Sequence, residues 1–197
     1  MNIASKQTGV GLIEVMVALL LLSIAILGYS ALQAQAIKAT DESMERSQSL
    51  VMMRNIAEKI HANPSAIVTY ATGLNSPYAS SNAPNKKCGL DGTSVNQLCN
   101  PTELAEAESY TLKAELQNYE FQIQMHPCPN TGGTGADAAD NIMYSYCLIS
   151  AWGETTPTIG TDDETDCLTE RVVGEDDVVD AAGGNYHAKA TCMMMEI

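Results

Sequence analysis

A single carboxylate in a long uncharged segment constrains this chain more than any other feature. Glu14 follows a short leader in which Lys6 is the only charged side chain, and no further charge appears until Lys38. The uncharged run over residues 15–37 has 23 residues. As a helix it would extend about 34 Å, enough to cross a bilayer core of about 30 Å. We therefore expect a membrane-spanning helix over residues 10–37, with a costly and functional charge near its start.

The position of Gly9 excludes an ordinary secretory signal peptide. A secretory signal is cut after its apolar region, which is then lost. Here the glycine precedes the apolar region, so cleavage after Gly9 would keep the helix on the mature protein. Val10 would become the first residue of that product and Glu14 the fifth. The alternative that stays open is an uncleaved signal anchor with a tolerated glutamate.

The sequence GVGLIEV at residues 9–15 resembles the class III signal of type IV prepilins. In that family a prepilin peptidase cuts after the glycine and methylates the new N-terminus. Val10 and Gly11 depart from the residues most common there, which are Phe or Met and then Ser or Thr. The resemblance implies a leader over residues 1–9, cleavage after Gly9 and N-methylation of Val10. It also implies that Glu14 meets the N-terminal amine of a neighbouring subunit, where an ion pair avoids a stranded charge in low dielectric.

Helical periodicity continues beyond the membrane segment. Apolar residues recur at helical spacing between Leu50 and Ile60, and Pro64 ends the pattern. Residues 10–62 are therefore predicted to form one helix. Its extension, residues 38–63, is predicted to pack its apolar side on a sheet.

Residues 64–197 are predicted to form a globular head, which gives an α+β fold. Turn-forming residues predict a loop over 66–100, and Thr102 is the expected cap of a helix over 101–118. Alternating apolar residues then predict an antiparallel sheet. The predicted strands cover residues 119–125, 142–152 and 186–197, separated by a glycine-rich turn over 129–140 and a loop over 155–166. The order of helix and sheet resembles the type IV pilin fold, and residues 9–35 are most similar to PilV-type minor pilins.

The cysteines predict a disulfide-bonded head. An even number of cysteines, in a region that a membrane anchor would place outside the cytoplasm, is typical of disulfides in an oxidising compartment. Six cysteines allow 15 pairings, and proximity in the sequence favours the nearest neighbours as partners. The favoured pairs are Cys88–Cys99, Cys128–Cys147 and Cys167–Cys192. The chain has no CxxC pair, which argues against a zinc or thioredoxin-like site.

No residues suggest catalysis. His61, His126 and His187 are far apart in the sequence and lie in no catalytic motif. A disulfide at Cys128 is favoured over a Cys–His dyad with His126. The glycines between 132 and 135 lack the lysine and hydroxyl of a phosphate-binding loop, and residues 193–195 are three methionines expected to pack under the helix.

An acidic run is the one candidate for a metal ligand. Asp162, Glu164 and Asp166 alternate as calcium ligands do. However, Cys167 replaces the sharp-turn glycine of a calcium loop, and no glutamate follows at the twelfth position. A solvated acidic loop is therefore favoured over a calcium site, and no metal or other cofactor is expected.

Charge and resemblance together limit the function. The net charge of −14 repels nucleic acid phosphates, so direct nucleic acid binding is not expected. The resemblance implies a non-enzymatic minor pilin of the inner membrane, with a single span and a periplasmic head, that later joins an extracellular pilus. Its implied partners are other minor pilins, the major pilin and the prepilin peptidase. Its implied roles are priming of assembly, a place at the pilus tip, twitching motility, adhesion and DNA uptake.

Two alternatives remain open from the sequence. One is a minor pseudopilin of a type II secretion system, which would have the same fold. The other is a membrane-anchored periplasmic enzyme or binding protein, against which the processing site and the missing catalytic residues both count.

Overall fold

The computed structural model describes residues 11–92, 98–129, 145–162, 164–170, 172–173, 179–181 and 184–197. The chain divides into two compact units, Met1–Met44 and Glu45–Ile197. The first long helix contributes residues to both units.

The elements follow the order of helices first and strands afterwards. The helices are α1 (Leu12–Ala62), α2 (Ile67–Asn75) and α3 (Pro101–Asn118), with short 3₁₀ turns at Pro64–Ala66 and Ser80–Asn82. The strands are β1 (Gln122–Pro127), β2 (Tyr146–Ala151), β3 (Thr156–Gly160), β4 (Asp166–Thr169), β5 (Val172–Val173), β6 (Val179–Ala181) and β7 (Cys192–Glu196). The predicted α+β fold is confirmed, and α1 ends at the residue that the proline pattern indicates.

The main sheet has three antiparallel strands in the order β1-β2-β7. Successive side chains along a strand point to opposite faces of this sheet, and each face packs against its own apolar cluster. Leu148 and Trp152 belong to a cluster with buried residues of the helices, whereas Ile149 and Ala151 face a smaller cluster on the other side. On the helix side, α1 contributes the apolar residues that the periodicity predicts: Met53, Ile56 and Ile60.

Strands β3 and β4 correct the prediction of a loop over residues 155–166. They form a separate two-stranded parallel sheet. Cys167 and Leu168 of β4 are buried in the smaller cluster. A Cβ at Gly160 would lie 2.1 Å from an Asp166 carboxylate oxygen, so a larger residue there would displace that carboxylate. The short strands β5 and β6 were likewise not predicted, because the preference of a residue for a strand depends strongly on its tertiary context.

Helix α2 corrects the loop predicted over residues 66–100. Its composition is poor for a helix, yet Tyr70 and Leu74, four residues apart, are fully buried in the main cluster. Gly73 permits close approach to α3, because a Cβ there would lie 2.2 Å from the Ser109 hydroxyl oxygen. Tertiary burial therefore overrides weak intrinsic propensity in this segment.

Helix α3 has the predicted bounds but not the predicted cap. The Asn100 side chain accepts a hydrogen bond from the Glu103 backbone N–H at 2.9 Å, and the Glu103 carboxylate accepts one from the Asn100 N–H at 3.0 Å. This capping box makes Asn100 the cap, so the assignment to Thr102 was wrong. Tyr119, predicted in the strand, instead follows the helix end and is 57% exposed.

Candidate functional site

The described chain places Glu14 in the first turn of α1. The backbone N–H of Glu14 donates to the Gly11 carbonyl at 2.9 Å, which starts the helical hydrogen-bond ladder. A carboxylate in the first turn is stabilised by the positive end of the helix dipole. The side chain is exposed and is free to meet a group outside the chain. Gly9 and Val10, the predicted processing residues, lie outside the described residues.

The part of α1 that follows Glu14 exposes its apolar side chains. Leu19, Leu20 and Leu27 are 58–71% exposed, and a window of this helix has a mean hydropathy of 2.5. Among the residues described, α1 is the one helix long and apolar enough to cross a membrane. Two serine hydroxyls of this segment donate to helix carbonyls four residues earlier, Ser23 to Leu19 at 2.8 Å and Ser30 to Ile26 at 2.9 Å. The segment therefore presents an apolar surface on which these two hydroxyls are satisfied within the helix, as lipid or other apolar helices require.

Three disulfides connect the head, and they join the same pairs that proximity favours. The pairs are Cys88–Cys99, Cys128–Cys147 and Cys167–Cys192. The first closes the chain ahead of α3, and the second links the end of β1 to β2. The third joins β4 to β7 and so ties the smaller sheet to the main one.

Family comparisons cover the N-terminal part of the chain. Residues 4–30 match the family model of the prokaryotic N-terminal methylation motif. Residues 31–110 match the model of the type IV pilin Tt1218 family. The two matches are contiguous, and together they cover more than half of the chain.

The chain is a type IV pilin. Pilins are filament subunits, and theirs is not an enzyme family. The pilin carries the class III signal, which implies processing by prepilin peptidase and assembly with other pilins. The motif and the apolar helix fit a membrane-anchored pilin that is later assembled into a pilus. No curated protein and no solved structure matched the chain.

The carboxylates of Asp162, Glu164 and Asp166 in the acidic loop bond to other groups of the same chain. One Asp166 oxygen accepts from the Thr158 hydroxyl at 2.6 Å, and the other accepts from the Asp162 N–H at 3.0 Å. The Glu164 N–H donates to the Asp162 carboxylate, which lowers the pKa of Asp162. Glu164 itself lies 3.3 Å from the Lys189 ammonium. Within the described part of the chain, no three acidic, histidine or cysteine side chains form a group that could hold a metal ion.

His126 and the methionines at residues 193–195 make structural contacts within the head. His126 Nε2 lies 2.9 Å from the Gln124 amide oxygen and 3.1 Å from the Pro157 carbonyl. Burial lowers the pKa of His126, partly offset by the Pro157 carbonyl. Cys128 is in a disulfide, as favoured from the sequence, and is therefore not part of a Cys–His dyad. Met193 and Met195 pack against the helix-side cluster as expected, but the intervening methionine faces the other cluster.

One polar cluster was not predicted. The Glu108 carboxylate of α3 accepts hydrogen bonds from Lys59 of α1 at 3.2 Å and from the Tyr70 hydroxyl of α2. Burial, and then the bond to Glu108, raise the pKa of Tyr70 above its usual range. The cluster thus links three helices of the head. A signal was present in the sequence, since Glu108 lies on the same helical stripe as Ala105 and Leu112.

Proposed function

We propose that this pilin is a minor subunit that primes pilus assembly and takes a place at the pilus tip. It would be held in the inner membrane by one span, with its head in the periplasm, until the filament extracts it. The observation that carries the proposal is an exposed Glu14 within the methylation motif, in the first turn of an exposed apolar helix. The resemblance of residues 9–35 to PilV-type subunits supports the minor role.

The N-terminal geometry supports a simple assembly step. Cleavage after Gly9 creates an α-amine at Val10, four residues before Glu14. In an apolar surrounding, each of these charges is costly alone, and pairing between neighbouring subunits removes both costs. The exposed apolar side chains of α1 would then pack against equivalent helices in the filament.

The head supports a role outside the cytoplasm. Its three disulfides suit an oxidising compartment. Its acidity makes direct DNA contact unfavourable, so a contribution to DNA uptake, twitching motility or adhesion would be made through the pilus.

The copy number of the chain in purified filaments tests the minor role. We expect the pilin in sheared filaments at a small fraction of the major subunit, and we expect its deletion to reduce the number of filaments per cell. Quantitative mass spectrometry and electron microscopy measure these two quantities. A copy number equal to the main subunit would contradict the minor role. Normal piliation combined with lost protein secretion would instead assign the chain to a type II secretion pseudopilus.

A further inference from the structure

The two outer edges of the main sheet differ in how their backbone groups are satisfied. On the β1 edge, the Asn75 amide donates to the Met125 carbonyl at 2.9 Å and accepts from the Met125 N–H at 2.8 Å. Pro127, two residues further along the strand, has no N–H to offer. Helix α2 therefore occupies the β1 edge, so a further strand cannot pair there.

Fewer groups of the described residues bond to the β7 edge. At the two ends of β7, the Ile197 N–H donates to the Tyr146 carbonyl at 2.8 Å and the Thr191 carbonyl accepts from the Trp152 N–H at 3.1 Å. Because antiparallel hydrogen bonding alternates along a strand, the backbone groups of the residues between them at every second position, Cys192, Met194 and Glu196, face outward. The backbone N–H of Met194 shows that these groups face away from β2, because it donates a hydrogen bond to the Tyr186 hydroxyl at 2.9 Å. Within the described residues, this phenol is the one group that bonds to the outer edge.

The Glu196 end of this edge is accessible, and the strand is regular. Tyr186 is 51% exposed, and Glu196 is also exposed. The register between β2 and β7 has no bulge. The strand CMMME contains no proline or lysine, the residues with which proteins commonly block an edge. An unblocked edge of this kind has the hydrogen-bonding pattern that an extended peptide completes.

We propose that the outer edge of β7 binds an extended segment of a different pilin subunit, with a basic residue placed opposite Glu196. Charge decides against a second copy of the chain, because the net charge is −14 and the edge itself ends in an exposed carboxylate. Tyr186 acts as a temporary cap that the incoming strand displaces from the Met194 N–H. The identity of the occupant as a pilin rests on the proposed function, whereas the pairing itself rests on the geometry of the edge.

The first experiment uses the full chain in detergent micelles and a short synthetic peptide of alternating valine and threonine with a central lysine. Fluorescence polarisation measures binding, and hydrogen–deuterium exchange reports on the Glu196 amide. We expect binding that slows exchange at Glu196. The same peptide with alternate amides N-methylated loses its donors and should bind at least about tenfold more weakly.

Two variants and one control substitution sharpen the test. Tyr186→Phe removes the cap and should strengthen peptide binding by about two- to tenfold, the value of one net hydrogen bond. Tyr119→Phe removes an exposed hydroxyl elsewhere on the head and should leave binding unchanged. Glu196→Lys keeps the backbone but reverses the charge, so it should prefer a glutamate peptide to the lysine peptide.

Several results would overturn the proposal. Unchanged exchange at Glu196, or equal binding of the N-methylated peptide, would show that the edge does not pair. Protection that rises with protein concentration in the absence of peptide would assign the edge to a second copy. If the peptide fails while the wild-type chain still enters filaments, the edge proposal alone falls. If the wild-type chain is absent from filaments, the proposed function falls whatever the peptide does.

Discussion

The segment 12–44 and the head obtain their stability in opposite ways. Every residue of the segment is exposed, and its order comes from helical hydrogen bonds along one chain. The head buries Tyr70, Leu148 and Leu168 completely and adds three disulfides. The difference teaches that the uncharged part of the segment, residues 15–37, needs an apolar surrounding, either lipid or other helices, whereas the head supplies its own.

We expect processing at Gly9 to decide whether the segment passes from lipid to a surrounding of other helices. Replacing Gly9 by leucine should abolish cleavage, because the resemblance implies that the peptidase accepts only glycine before the cut. Mass spectrometry should then find the nine-residue leader retained, whereas the wild type should begin with N-methyl-Val10. Gly11→Ala is the matched control, since a Cβ at Gly11 meets no atom closer than 4.0 Å. Pili that incorporate the uncleaved chain would contradict the proposed route.

The charge of Glu14 separates insertion from assembly. Glu14→Ala should still insert and be processed, because the change removes a charge from an apolar segment. It should not enter filaments, since the partner for a neighbouring N-terminal amine is lost, and Glu14→Asp should give a partial defect. Immunoblots of membranes and sheared pili measure both steps. Glu58→Ala, an exposed carboxylate on the head part of α1, is the control. Normal incorporation of the Glu14 variant would mean that this charge is only tolerated.

The disulfide between β4 and β7 should stabilise the head and not the segment. Replacing Cys167 and Cys192 by alanine releases a loop of 25 residues, which should lower the free energy of unfolding of the head by about 3–4 kcal/mol. Denaturant titration of the full chain in micelles measures this. The segment should keep its helical circular dichroism. The loop closed by Cys88 and Cys99 spans 11 residues and should contribute less. Six free thiols in the native protein would contradict the disulfide framework.

The same substitution at two places on α1 compares the two regions directly. Ile56 is 0% exposed and Ile24 is 60% exposed. Ile56→Val should lower the free energy of unfolding of the head by about 1 kcal/mol, since it removes one buried methylene from a packed core. Ile24→Val should leave that free energy unchanged. Equal effects at both positions would contradict this difference between the head and the segment.

The smallest expected effect concerns pH and is confined to the head. Burial lowers the pKa of His126 in the folded state below its ordinary value of 6.5. The folded state then binds a proton less readily than the unfolded state, so stability is present above about pH 6.5 and is lost as the pH falls below it. His126→Asn should flatten this acid dependence in thermal melts. His61→Asn, at an exposed position near the end of α1, should not change it.

Patterns that depend on near neighbours in the chain were predictable. The end of α1 follows from Pro64, and the bounds of α3 from its helix-forming composition. The pairing of β1 with β2 follows from alternation and from the glycine-rich sequence between them. The three disulfides join cysteines that are close in the sequence, so proximity was sufficient to select them. Glu14 was identifiable because a charge in an apolar run needs no structure to stand out.

The features that were missed depend on distant partners. Helix α2 forms where Tyr70 and Leu74 find the core, and Gly73 lets it approach α3. The parallel pairing of β3 with β4 requires burial of Cys167 and Leu168 against the back of the main sheet. The contrast between a guarded β1 edge and an open β7 edge depends on where α2 and Tyr186 come to lie. The sequence by itself determined the anchor, the processing signal and the α+β order, because these reside in composition and short-range period. Only the tertiary structure decided the second sheet, the linked helices and the open edge, because each depends on contacts between residues far apart in the chain.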